Sequence, residues 1–165
     1  MAAENSFDVV CKVDMQEVTN GLDQTRREID TRYDLKGTKN EIKLEKNDIT
    51  VSSADEMKLK AVVDILQSRL HKRGVPLKAL SYGKVEEASG GSARQQAKIV
   101  AGISSEKARE INKMIKDAAP KGIQSQTQGQ QVRVTGKKRD QLQTVIAALK
   151  EHDFGIPLQF QNFRD

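Results

Sequence analysis

Apolar residues along the chain follow two periods, one typical of strands and one typical of helices. Ile49 and Val51 alternate with polar residues, as do Val132 and Val134, and this predicts two half-buried strands. After each strand, apolar residues recur at the i, i+3, i+4, i+7 spacing of one helix face, namely Leu59, Val62, Val63, Leu66 and Leu142, Val145, Ile146, Leu149. Both stretches end in Gly-aliphatic-Pro-Leu, which stops a helix. The match predicts a duplicated unit, although two unrelated amphipathic helices could align in the same way.

The rest of the pattern completes the order β-α-β-β-α-β in each half. In the first half we predict strands at 7–13, 42–44, 49–51 and 80–85, a helix at 15–32 that Asp14 and Glu17 begin, and a second helix that a Ser53–Glu56 capping box begins. In the second half we predict strands at 96–103, 123–128, 131–135 and 158–163, a helix after Ser104 and a helix at 137–151. The fold class is therefore α+β, with two tandem ferredoxin-like domains, each a four-stranded antiparallel sheet with two helices on one face.

Ser89-Gly90-Gly91-Ser92 is the most flexible tetrapeptide and is interpreted as the linker between domains 1–90 and 91–165.

No run approaches about 18 apolar residues, and the start of the chain does not have the pattern of a secretory signal, so we expect a cytoplasmic protein without a membrane span. The single cysteine, Cys11, excludes a disulfide framework. With two histidines, it also makes a zinc site unexpected, and we predict no metal and no cofactor.

Positive charge is concentrated in the second half of the chain. Residues 1–90 carry 15 Lys and Arg against 16 Asp and Glu, whereas residues 91–165 carry 13 against 7, a net charge of +6. A half-chain this basic indicates an anionic partner, or a basic surface that only keeps the protein soluble.

The two repeats differ where their second helices begin. The first begins with Ser53-Ala54-Asp55-Glu56, whose carboxylates suit the positive end of the helix dipole, whereas the second begins with Gly136-Lys137-Lys138-Arg139. Clustered cations at a helix N-terminus predict a phosphate site; the alternative is a solvated basic turn. The segment lacks the G-x-x-x-x-G-K-[ST] spacing of a P-loop hydrolase.

The sheet of the second half has an unusual predicted outer face. Alternation directs five glutamines and one arginine outward, namely Gln124, Gln126, Gln128, Arg133, Gln159 and Gln161. These groups can donate to and accept from base edges or sugar hydroxyls, or they can be ordinary polar residues of an exposed sheet. The chain has no Trp, two Tyr and four Phe, so it lacks the stacking platform of an RNA-recognition motif.

The segment Arg32-Tyr33-Asp34-Leu35-Lys36-Gly37 leaves the first helix and has two interpretations. It is either a basic helix end or a binding loop in which Tyr33 stacks while Arg32 and Lys36 bind phosphate.

The two histidines give little support for catalysis. His71 and His152 are each predicted in the last turn of a helix, where a cation is favourable without any catalytic role.

Several segments together resemble the bacterial YajQ family. They are Ser6-Phe7-Asp8, the loop 32–37, Arg94-Gln95, the stretch from Val132 to Asp140, and the ending from Pro157 to Asp165. The resemblance implies two ferredoxin-like domains that exchange N-terminal strands, so that the strand 7–13 packs in the second domain and the strand 96–103 in the first. It also implies a binding protein and not an enzyme: one that binds cyclic di-GMP or a purine nucleotide and acts with a transcription factor, or one that binds RNA.

We therefore predict a non-enzymatic nucleotide sensor or effector whose ligand is a cyclic dinucleotide, GTP or ATP, and which acts through a protein partner. The alternative is an RNA-binding module for tRNA or another structured RNA. From the residues themselves, the predicted contacts are Arg133, Gly136, Lys137, Lys138, Arg139, Gln159, Arg32, Tyr33 and Lys36. Arg94 is added from its position in the family motif. No residue is predicted to be catalytic or to bind a metal.

Overall fold

The computed structural model describes residues 4–164. Within this range lie four α-helices, α1 (Met15–Thr31), α2 (Glu56–Lys72), α3 (Ser105–Ala118) and α4 (Arg139–Glu151). The strands are β1 (Asn5–Val10), β2 (Glu41–Glu45), β3 (Asp48–Ser53), β4 (Leu80–Tyr82), β5 (Glu86–Glu87), β6 (Ala93–Ile99), β7 (Gln124–Gln128), β8 (Gln131–Gly136) and β9 (Gln159–Arg164). Asp165, which ends the last family-like motif, lies outside the described residues.

The chain divides into two compact units. Unit 1 comprises the chain up to Lys12 together with the chain from Ala101 onward, and unit 2 comprises Val13–Val100. The sheet of unit 1 has the order β7-β8-β1-β9, and its central strand β1 pairs antiparallel with both β8 and β9. Apolar residues of β1 and β8 are buried with those of α3 and α4, for example Phe7, Val134, Ile111 and Leu149.

Unit 2 repeats this arrangement around β6. Its sheet has the order β2-β3-β6-β4, and the short strand β5 also pairs with β6. The helices α1 and α2 contribute to one buried cluster with the sheet, which includes Leu22, Leu66, Ile49 and Ala97. The α+β class with two ferredoxin-like units is confirmed.

The strands β1 and β6 determine where the units divide. Because β1 pairs within unit 1 and β6 within unit 2, the chain passes between units after Lys12 and after Val100, and not near residue 90. Ser89–Gly91 instead forms a short 3-10 turn inside unit 2, closed by a hydrogen bond from the Ala88 amide to the Ser92 carbonyl. Its interpretation as an interdomain linker is wrong, because these glycines supply positive φ angles for a tight connection between β5 and β6.

Three predicted strands differ from the observed ones by three or more residues at one or both ends, whereas the others agree within two residues. β1 ends at Val10 and not at Val13, since Asp14 already caps α1. The strand predicted at 80–85 ends at Tyr82, because pairing with β6 is interrupted before β5. The strand predicted at 96–103 is β6 (Ala93–Ile99), since its first residues pair with the end of β3.

The duplicated helix pattern is confirmed, since all eight repeat positions on α2 and α4 are buried. Both glycines of the shared motif have positive φ, +85° at Gly74 and +78° at Gly155, but only Gly74 directly follows a helix cap, because α4 already ends before its C-cap His152. Gly74 allows the left-handed turn that closes α2, whereas the prediction that Gly155 ends α4 is wrong.

Helix starts match the sequence prediction at two of three capped helices. Asp14 caps α1 by accepting from the Gln16 and Glu17 amides, and Ser104 caps α3 by accepting from the Lys107 amide. The Ser53–Glu56 capping box on α2 is wrong. Asp55 is the N-cap and accepts from the Lys58 amide at 2.7 Å, whereas the Ser53 hydroxyl donates to Asn40 Oδ1 at 2.6 Å.

This difference in capping predicts a difference between two neighbouring substitutions. We expect Asp55→Ala to lower the free energy of unfolding by about 1 kcal/mol, because the Lys58 amide loses its acceptor. Glu56→Ala should change it by no more than about 0.5 kcal/mol, since Glu56 contributes only a charge in the first turn. Urea unfolding followed by circular dichroism measures both. A loss for Glu56→Ala as large as that for Asp55→Ala would restore the capping box.

Candidate functional site

The basic turn of unit 1 lies where β8 leads into α4. Gly136 ends β8 opposite Asn5 of β1, and Asn5 Nδ2 donates to the Lys137 carbonyl at 3.2 Å. Lys137, Lys138 and Arg139 are all exposed. The pairing with β1 therefore presents three adjacent cations at one end of the unit.

The start of α4 differs electrostatically from the other helix starts. Lys138 occupies the N-cap position, and among the described residues no side chain caps α4 there. Asp140 supplies one carboxylate in the first turn, where its Oδ1 accepts from the Gln141 amide at 3.0 Å. A helix start carries partial positive charge, so the lysines at this position raise the potential that an anion would meet.

Gly136 has a packing role in the same turn. It is buried, and a Cβ at this position would lie 2.5 Å from Ile123 Cδ1. Real Cβ atoms do not approach so closely, so a larger residue here would force the terminal carbon of the Ile123 side chain to move. Gly136 therefore brings the start of the basic turn into close contact with Ile123.

Arg133 lies in the middle of β8 and is held by a buried carboxylate. Its Nε donates to Asp8 Oδ1 at 2.9 Å, and Asn162 Nδ2 donates to Asp8 Oδ2 at 2.9 Å. Asp8 is 0% exposed. Burial alone raises the pKa of Asp8, but the hydrogen bonds from Arg133 and Asn162 and the charges of Arg133 and Arg164 outweigh it, so that its pKa is lowered.

Gln159 lies at the opposite end of the sheet from Lys137. It pairs with Val10, five residues along β1 from Asn5, which corresponds to about 17 Å at the rise of a strand. Its amide also forms two hydrogen bonds with Lys12, accepting from the backbone amide at 2.8 Å and donating to the carbonyl at 3.2 Å. The structure therefore does not bring Gln159 to the basic turn.

The loop 32–37 lies at the end of unit 2 where α2 begins, which is equivalent to the end of unit 1 where α4 begins. Arg32 forms an ion pair with Asp34 at 2.8 Å, and the Asp34 carbonyl accepts from Lys58 Nζ of α2 at 3.0 Å. Tyr33 is 98% exposed, and Lys36 is also exposed. The arrangement leaves an aromatic ring and a lysine in solvent beside the start of α2.

Arg94 belongs to the same end of unit 2. It lies near the start of β6, opposite Ser52, and pairs with Glu86 at 2.8 Å. The predicted contacts thus form two groups at equivalent ends of the two units, one around Lys137 and one around Arg32. Arg133, in mid-strand, and Gln159, at the far end, are separate from both.

One residue that the sequence prediction missed changes this picture. Asp8 was named only within the motif Ser6-Phe7-Asp8 and not as an ion-pair partner, although an aspartate between Phe7 and Val9 in an apolar strand is a signal for a buried ion pair. Its pairing with Arg133 means that this arginine is already satisfied.

Other chemistry is limited within residues 4–164. No group of three or more His, Cys, Asp and Glu side chains there could hold a metal ion. Across the same range, every helix is too short or too polar to cross a membrane. His71 ends up in the last turn of α2, and His152 is the C-cap of α4, where both side chains are exposed.

Fold and surface chemistry together define a class: a protein of two strand-exchanged ferredoxin-like units, one of which carries a basic turn at the start of its last helix. The family model for "Nucleotide-binding protein YajQ-like" matches residues 5–164. The chain therefore belongs to the YajQ family.

Three relatives from bacteria are named nucleotide-binding proteins. The protein of Geotalea uraniireducens is 57% identical over 96% of this chain and 98% of its own length. That of Koribacter versatilis is 55% identical over 98% of each chain. That of Desulfitobacterium hafniense is 52% identical over 99% of this chain and 100% of its own length.

Proposed function

We propose that this chain is a bacterial cytoplasmic protein that binds a nucleotide without transforming it and acts through a protein partner. Its ligand is a cyclic dinucleotide, such as cyclic di-GMP, or a purine nucleotide such as GTP or ATP. The phosphate lies at the start of α4, against Lys137, Lys138 and Arg139.

The observation that carries this proposal is the contrast between two equivalent helices. In α2 the carboxylate of Asp55 caps the first turn, whereas in α4 a lysine occupies the cap position and further cations flank it. Cations at a helix start oppose the dipole, and a bound anion would remove that conflict. The names of the relatives, which are nucleotide-binding proteins, agree with a phosphate ligand.

The experiment is a calorimetric titration with cyclic di-GMP, GTP, ATP and a short structured RNA. We expect Lys137→Ala/Lys138→Ala to weaken binding of the preferred nucleotide at least tenfold, because charge-assisted contacts contribute about 1.5–3 kcal/mol each. The stability of the free protein should stay the same or rise slightly, since repulsion at the helix start is relieved. Product analysis after the titration should recover the nucleotide unchanged.

The matched control is Lys60→Ala/Lys72→Ala, which removes the same charge from exposed positions of α2. Its affinity should stay within twofold of the parent. If the α4 variant binds every nucleotide like the parent, the phosphate lies elsewhere, and the group around Arg32 becomes the next site to test. If RNA binds with an affinity that falls steeply with salt while the nucleotides do not bind, the chain is an RNA-binding module, as the net +6 of its second half also allows.

A further inference from the structure

A cavity of about 480 Å³ lies in unit 1 between the C-terminal half of α3 and the first residues of β7. Asn112 and Lys116 of α3 line one side, and Lys121, Ile123 and Gln124 line the other. Sites for small ligands commonly occupy 300–1,000 Å³, so the cavity has room for a nucleoside. Among its residues, the sequence prediction involves Gln124, as an outward glutamine, and Ile123, as the start of a strand, but neither is among the predicted nucleotide contacts.

This cavity adjoins the basic turn that leads into α4. Gln124, at the start of β7, pairs with Thr135 near the end of β8, so the turns before β7 and after β8 lie side by side. Ile123 connects them, because it lines the cavity and also packs against Gly136. A ligand in the cavity would therefore have Lys137 and Lys138 near one end.

Asn112 carries a polar atom that lacks a partner. Its Nδ2 donates to Thr127 Oγ1 at 2.9 Å, whereas its Oδ1 is buried and accepts no hydrogen bond from the described residues. A buried acceptor without a donor costs free energy. Rotation of the half-buried side chain toward the cavity that it lines would let Oδ1 meet a donor on a ligand.

The positive charges at the edge of the cavity suit the phosphate of a nucleotide. Lys116 and Lys121 are exposed at its edge. A lysine near the end of α3 has an ordinary structural explanation, because cations suit a helix C-terminus. The amide oxygen of Asn112, which has no hydrogen-bond partner among the described residues, is an independent feature, and once turned toward the cavity it can accept only from a group that bears an N–H or O–H.

We propose that this cavity holds the base of the nucleotide whose phosphate lies at the start of α4, with Asn112 Oδ1 accepting a hydrogen bond from an N–H of that base. This inference rests on the proposed function and specifies where the base binds. It assigns specificity to α3 and β7, in place of the outward residues Arg133 and Gln159, whose side chains already form hydrogen bonds within the protein.

The test compares Asn112→Leu with Thr127→Val by calorimetry, using cyclic di-GMP, GTP, ATP and ribose 5-phosphate as probes. Asn112→Leu removes the acceptor while keeping the number and branching of the side-chain heavy atoms, and we expect at least tenfold weaker binding of the preferred nucleotide. Thr127→Val removes the same Asn112–Thr127 hydrogen bond but keeps the acceptor, so its affinity should stay within twofold of the parent. Ribose 5-phosphate has no base, so its affinity should be equal in both variants and the parent.

The outcomes separate this inference from the proposed function. If Lys137→Ala/Lys138→Ala weakens binding but Asn112→Leu does not, the phosphate site stands and the base pocket is wrong. Equal losses in Asn112→Leu and Thr127→Val would assign Asn112 a structural role and overturn the inference. If no nucleotide binds the parent, the proposed function fails and this inference fails with it.

A measurement on the unchanged protein guards against a variant that does not fold. In nitrogen–proton NMR spectra, a saturating amount of the preferred nucleotide should shift the amide signals of Gly122 and Gln124 more than those of Thr50 and Gln96 in unit 2. Unshifted signals at Gly122 and Gln124, with bound nucleotide, would overturn the inference.

Discussion

Replacing Phe7 by alanine should lower the free energy of unfolding by about 3–5 kcal/mol, the cost of emptying the space of a buried aromatic side chain. Phe7 is 0% exposed in the central strand of unit 1, where its ring lies 6.0 Å from those of Phe160 and Phe163. Because β1 pairs with both β8 and β9, the substitution removes packing from the middle of the sheet. Denaturant unfolding of the variant measures the loss.

The location of the damage tests the assignment of β1. Hydrogen exchange in Phe7→Ala should lose protection first in β7, β8 and β9, although these strands are more than 100 positions away in sequence. The matched control is Ile49→Ala, which should weaken protection in β2 and β6 instead. Loss of protection around residues 41–53 in the Phe7 variant, with β8 unaffected, would contradict the strand exchange.

The second large effect is expected at Asp8. Asp8→Ala should lower the free energy of unfolding by about 2 kcal/mol, because it removes a fully buried carboxylate and leaves Arg133 and Asn162 without their acceptor. The Arg133 side chain is 29% exposed, so water can partly solvate it and limit the loss. Asp8→Asn preserves the shape and one acceptor and should cost less. Unchanged unfolding midpoints for both variants would show that the pair contributes nothing.

The same group gives a pH dependence with a definite sign. The pKa of Asp8 is lowered in the folded protein, so below the unfolded value of about 3.9 the unfolded chain binds the proton first. The contribution of Asp8 is therefore complete above that value and is lost as pH falls through the lower folded pKa. Between pH 5 and pH 2.5, the wild type should lose more stability than Asp8→Asn. If the free energies of unfolding of the two proteins fall equally over this pH range, Asp8 is not stabilised in its charged form.

The sequence predicted the candidate site only where its residues are neighbours in the chain. The three cations after Gly136 are consecutive, and their conflict with a helix start follows from the predicted helix alone. Arg133 and Gln159 alternate outward as predicted, yet their side chains bind Asp8 and the backbone of Lys12. Those partners lie more than 100 residues away, and periodicity carries no information about them.

The cavity beside Asn112 also could not be predicted, because it is formed by residues that are distant in sequence. On α3, the sequence pattern identifies Asn112 only as a polar residue next to the buried Ile111. Its contact with Thr127 and the space next to Lys121 exist because α3 packs against β7. A helix pattern predicts which face is buried but not which strand lies under it.

The sequence by itself determined the two β-α-β-β-α-β units, their buried helix faces and the glycine that ends α2, because these depend on residue spacing and local backbone preference. Only the tertiary structure decided that Lys12 and Val100, and not residue 90, mark the passages between the units. Strand alternation specifies which side of β1 is buried, whereas the choice of neighbouring strand depends on edges contributed by distant parts of the chain. That choice places Asp8 against Arg133 and Asn5 against Gly136, and so determines which polar groups remain available to a ligand.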